Sequence, residues 1–215
     1  MNKEIISPLF PLTINVLPGA FLPLQIFEPR YIDMVRRSLS NSEGFSIVLS
    51  KQENTYEESE NLPYHSIATY VEIVDFDQLD NGLLGITVQG KQKIVIEDTW
   101  KQEDELIIGK IKKVRENDDD LSTDPVYVDL WNMVKEITNH PEIKKLNLEL
   151  NLESSISVGY ILASVLPLRP QEKQTILEFE DPRDKLDYLK EIIKRLGGWL
   201  ALSPIAMEPI RYSVR

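Results

Sequence analysis

A chain of 215 residues, 42% of them apolar, can build one large packed domain or two small ones, and its lack of cysteine excludes disulfides, thiolate nucleophiles and cysteine-ligated zinc. The formal charge of -11 disfavours a nucleic-acid backbone as partner, because that binding relies on Lys and Arg displacing counterions. No run of ~18 apolar residues occurs, and Pro8, Pro11, Pro18 and Pro23 interrupt the apolar stretch from Ile5 to Phe27, so neither a membrane span nor a signal peptide is expected and the cytoplasm is the expected compartment.

The segment LPLQIFEPRYIDM, Leu22 to Met34, joins a strand to a helix at one proline. Leu22, Leu24 and Ile26 alternate with Pro23 and Gln25, the period of a half-buried strand. Pro29 then fits a first helical turn, where no N–H is needed, and Tyr31, Met34, Val35 and Leu39 recur at helical spacing. From Phe45 to Arg115 the pattern predicts an antiparallel meander: Phe45–Leu49, Ile67–Phe76, Leu83–Gln89, Lys93–Glu97 and Leu106–Val114, with Asp80-Asn81-Gly82 as a hairpin turn and Gly90 dividing two strands. The polar, glutamate-rich stretch between Lys51 and Leu62 reads as a solvated loop.

The acidic run Glu116 to Asp120 reads as a linker, and everything after it as helical. Asp124-Pro125 predicts a cap and first turn for a helix whose face is Tyr127, Leu130, Trp131, Val134 and Ile137, closed by His140-Pro141. Leu146 to Leu152 alternates like a strand but sits among helical segments and is expected to be an irregular connector. Ser154 is expected to cap a helix running to Leu166, Pro170 opens another to Phe179, and Asp181-Pro182 a third, with Leu186, Leu189, Ile193 and Leu196 inward and Gly197-Gly198 as its stop. The expected class is α+β, with a β domain over 1–117 containing one short helix, and a small helical bundle over 118–215.

The Leu22–Met34 segment, preceded by Pro8-Leu9-Phe10-Pro11-Leu12 and Pro18-Gly19, resembles the opening of the Lon N-terminal domain family, the substrate-recruiting module of ATP-dependent Lon proteases. Gly85, Leu166-Pro167-Leu168 and Gln171 to Gln174 extend the resemblance from about Pro8 to about Leu196. It implies a PUA-like pseudo-barrel for the β domain and a non-catalytic module that binds polypeptide clients or a Lon-type protease. The AAA+ ATPase and Ser-Lys peptidase domains of complete Lon proteases have no counterpart in these 215 residues.

Phe21 in the turn region, and Tyr31 and Met34 on the first helix, are the candidate peptide-binding residues, since exposed aromatic and Met side chains grip unfolded chains by adaptable burial. A groove between the β domain and the helices is a second candidate. No cofactor or metal site is expected. Gly85 to Lys91 has P-loop spacing, but Gln92 stands where a magnesium-binding hydroxyl belongs and Ile86, Thr87 and Val88 suit a strand. His65 and His140 lack partners at metal-ligand spacing, and the acidic pairs read as solvated loops. Glu28 and Arg30 are expected to brace a turn. Two other classes stay open: an RNA or small-molecule reader, if Lys110, Lys112, Lys113 and Arg115 gather with Lys91 and Lys93 on one face, and a hydrolase without a recognisable signature.

Overall fold

The computed structural model describes residues 4–51, 63–139 and 151–197. The glutamate-rich stretch 52–62, His140 with Pro141, residues 146–150 and Gly198 lie outside them. The chain divides into two compact units that part between Arg115 and Glu116.

The first unit contains six strands, β1 (Ile5–Leu12), β2 (Phe21–Ile26), β3 (Phe45–Leu49), β4 (Ile67–Gln78), β5 (Leu84–Lys101) and β6 (Ile107–Lys113), and one helix, α1 (Pro29–Asn41). Strands β3 to β6 form the predicted meander, each antiparallel to the next. β1 then lies between β3, to which it is parallel, and β6, to which it is antiparallel. Since β6 also pairs with β5, the strands β5-β4-β3-β1-β6 close into a ring, with β2 added along the first part of β5. The class is α+β, and the barrel closure implied by the family resemblance is present.

Two departures from the sequence reading have local causes. Gly90 does not divide two strands, because β5 runs unbroken for 18 residues. Its backbone pairs with β2 through Gln89 and with β6 from Ile94 onward. Gly90 lies against the Leu17 carbonyl, where a side chain would collide with backbone, so the residue serves close approach rather than a break. β1 went unpredicted because Pro8 and Pro11 demote a strand. Pro8 pairs only with β6, and Pro11 only with β3, so each proline has one side where a missing N–H disturbs no ladder.

A core of Phe10, Leu12, Leu22, Leu24, Ile26, Tyr31, Met34, Val35, Phe45, Ile47, Ile86 and Val88 joins α1 to the sheet. Helix α1 begins as the sequence predicts, with Pro29 in its first turn, and ends where Ser42 adopts a left-handed conformation at φ 53°.

The second unit holds α2 (Val128–Asn139), α3 (Ser155–Val165), α4 (Pro170–Glu178) and α5 (Pro182–Arg195). Asp124-Pro125 does not start α2: the Asp124 carboxylate accepts the Val126 N–H and forms a local turn, so the helix begins at Val128. Ser154 caps α3 by accepting the Ser157 N–H at 3.0 Å, and Asp181 caps α5 through Arg183 N–H at 2.8 Å. α3 buries residues all round, including Val158, Gly159, Tyr160, Leu162 and Ala163, which marks it as the central helix of the bundle. On α5 the core residue is Ile192, not Ile193, alongside Leu186, Leu189 and Lys185. The buried Lys185 ammonium sits 3.0 Å from the Glu116 carboxylate and 3.7 Å from the Tyr160 ring centroid, and the Tyr160 hydroxyl donates to both Glu116 oxygens. Burial and the Glu116 charge both push the Tyr160 hydroxyl far above its ordinary pKa.

Candidate functional site

The β2-to-α1 corner positions a groove of about 420 Å³ in the first unit. Its floor is Ile26 of β2 and Leu84 of β5; one wall is Ile32, Val35 and Leu39 of α1, and the other is Phe76 and Gln78 of β4. Gly82 and Leu83 of the hairpin tip and Arg36 also line it, the Arg36 guanidinium 3.1 Å from Asp33. Phe76 is 60% exposed and Leu39 37%, so one wall carries a large apolar side chain standing in solvent and the other a partly covered one. That arrangement suits an apolar guest, since the volume lies in the range of ordinary binding clefts and its walls offer burial with few polar demands.

The three candidate residues divide. Met34 is 1% exposed and Tyr31 is also buried, both in the core between α1 and the sheet. Tyr31 stacks on Phe10 with ring centroids 4.2 Å apart, and burial pushes its hydroxyl upward in pKa against the pull of Arg30. Phe21 is 42% exposed at the start of β2. Phe76 and Leu39 were not singled out by the sequence. The available hint is the triplet Asp75-Phe76-Asp77 just before the Asp80-Asn81-Gly82 turn, an aromatic flanked by two solvated carboxylates.

Glu28 and Arg30 hold the corner in shape. The Arg30 guanidinium is 2.6 Å from the Glu28 carboxylate, donates to the Glu105 carbonyl at 3.2 Å and covers the Tyr31 ring at 4.9 Å. It thus ties the start of α1 to the β5–β6 turn, where Glu105 itself has φ 63°.

Of the cations that an RNA reader would gather on one face, Lys112, Lys113 and Arg115 are exposed, and the other three are engaged or covered. Lys93 is buried, Lys91 pairs with Glu72 at 3.4 Å, and Lys110 lies 2.7 Å from Glu4 and 3.9 Å from Glu97. The Gly85–Lys91 stretch lies wholly inside β5. Among the described residues no group of three His, Asp or Glu side chains is placed to hold a metal ion, and no helix is long and apolar enough to cross a membrane.

Comparison with known proteins bears on the family and the fold. A family model described as the ATP-dependent protease La (LON) substrate-binding domain matches residues 6–195. A Lon N-terminal domain protein from Xanthomonas campestris superposes with a TM-score of 0.69 at 26% identity, covering 87% of this chain and 98% of that one. The N-terminal domain of a Mycobacterium avium complex Lon protease shares the fold, with a TM-score of 0.60 at 17% identity and coverage of 87% and 97%. The Lon protease of Cytophaga hutchinsonii is 24% identical over 208 residues, which is 91% of this chain and 25% of the relative. The chain therefore spans about a quarter of the length of that protease, and it belongs to the Lon substrate-binding domain family.

Proposed function

We propose that this chain is a non-catalytic polypeptide-binding module that holds apolar segments of unfolded client proteins in the groove between α1 and the β4–β5 hairpin, acting in proteostasis in the cytoplasm, either alone or beside a Lon-type protease. The observation that carries this reading is the exposure of Phe76 and Leu39 on the two walls of an apolar cleft, in a chain of the substrate-binding family. Exposed apolar side chains gathered around one cleft mark an interaction site, whereas singly scattered ones do not. Unfolded chains differ from folded ones chiefly in the apolar side chains they display, so an apolar cleft selects them without reading a sequence. The structure-bracing charges around Arg30 supply rigidity, and no residue of the groove is assigned a chemical step.

Binding of a fluorescently labelled protein, reduced and carboxymethylated so that it cannot refold, tests the reading by anisotropy. Replacing Phe76, which is 60% exposed, by Ser should weaken binding at least tenfold while leaving the thermal midpoint nearly unchanged, because most of that side chain is already in water. Unaltered affinity in that variant, or no binding by the parent chain, contradicts the proposal.

A further inference from the structure

Strand β2 ends the sheet, pairing with β5 on one side only. Gly90 N–H donates to the Ala20 carbonyl at 2.9 Å, which fixes the phase of this ladder. Antiparallel alternation then turns the backbone groups of Leu22, Leu24 and Ile26 toward Val88, Ile86 and Leu84, and those of Phe21, Pro23 and Gln25 away from β5. Pro23 therefore stands where its missing N–H costs the sheet nothing. Two N–H groups, of Phe21 and Gln25, and three carbonyls, of Phe21, Pro23 and Gln25, point outward, and no hydrogen bond from the described residues reaches them. Phe21 and Pro23 are exposed residues, so among the described residues this edge has no partner strand.

We propose that the client polypeptide binds in extended form, adding to the free edge of β2 as a further strand; the inference rests on the polypeptide-binding reading above. Outward groups recur every second residue, about 6.7 Å apart, which is the repeat of an extended backbone. A second copy of this chain is the poorer occupant. Each copy would bring its own Pro23 without a donor, and each carries a charge of -11. A client segment free of proline satisfies all three carbonyls, and its alternate side chains lie beside the exposed Phe21 and Phe27. Ile26 belongs both to β2 and to the groove, so the strand edge and the cleft adjoin.

The test uses the full chain and an acetylated, amidated peptide Lys-Val-Thr-Val-Lys-Val-Thr-Lys, in three forms: unmodified, N-methylated at the odd residues, and N-methylated at the even ones. An added strand presents alternate N–H groups to β2, so one methylated form should bind at least tenfold more weakly and the other within about twofold of the parent. The Phe21 and Gln25 amides should also exchange more slowly in the complex with the unmodified peptide. Equal binding of all three forms, or an equal loss in both methylated forms, overturns strand addition. If the carboxymethylated protein binds but the unmodified peptide does not, strand addition fails and the groove reading survives; if neither binds, both fail.

Discussion

The two units differ in degree: each buries a lysine, Lys93 in the first and Lys185 in the second, and each exposes apolar side chains, but among the described residues the exposed aromatic ones lie in the first. The first exposes Phe21, Phe27 and Phe76, and Leu39 in part, around a cleft and a strand edge that has no partner strand among the described residues. The second turns charge inward: Lys185 is 1% exposed against Glu116 and Tyr160, and the buried Glu172 carboxylate receives Arg169 at 3.2 Å and Arg195 at 2.6 Å. A surface kept apolar at a cost in solubility points to recognition. Buried charge, which is costly unless fully paired, gives a unit whose geometry is tightly specified. The difference is what the proposed reading uses: recognition at the first unit, with the paired buried charges of the second specifying its packing.

The comparison breaks most visibly at Lys185. Replacing it with Met takes the buried ammonium away from the Glu116 carboxylate, and the second unit should lose about 3–5 kcal/mol of stability in urea unfolding, with much of the loss recovered by adding Glu116→Gln. Stability unchanged in the single variant would show that the ion pair does not specify the bundle. In the first unit, Gly90→Ala drives a methyl into the Leu17 carbonyl and should cost roughly 1–3 kcal/mol.

Glu172 gives a pH signature confined to the second unit. Burial opposes its ionisation, but the Arg169 N–H and the guanidinium groups of Arg169 and Arg195 outweigh that and pull the carboxyl from 4.5 to about 2. Its folded value is depressed, so its stabilisation is fully present above pH 4.5, declines as pH falls toward 2 and is gone below. Glu172→Gln should remove on the order of 2 kcal/mol at neutral pH and flatten the acid side of the stability profile. An unchanged profile would place the acid sensitivity elsewhere.

Smaller effects sharpen the contrast. Ser154→Ala removes the acceptor for Ser157 N–H and should cost about 1 kcal/mol, read as a lower melting temperature. Phe76→Ser should change stability by less than ~0.5 kcal/mol, as surface substitutions do, yet weaken binding of unfolded protein. A stability loss of the size seen for core positions would mean that Phe76 is structural.

Local chemistry made part of this legible in the sequence. The alternation of Leu22, Leu24 and Ile26 and the placing of Pro29 gave the strand-to-helix corner, and Ser154 and Asp181 gave two helix starts, because each signal acts within a few residues. What depends on distant neighbours was not visible. Gly90 looks like a breaker until the Leu17 backbone is seen against it. Lys185 looks like a solvated charge on an amphipathic helix until Glu116, far away in sequence, closes on it. The groove needs α1 and the β4–β5 hairpin together, so no single segment announced Phe76, and the helical period that pointed to Tyr31 and Met34 marks the buried face of α1.

Hydrogen exchange of the whole chain, measured with and without the carboxymethylated protein, tests the division of labour most directly. The account predicts slowed exchange in β2, α1 and the β4–β5 hairpin, with α2 to α5 unchanged. Protection confined to α2 to α5 would contradict it.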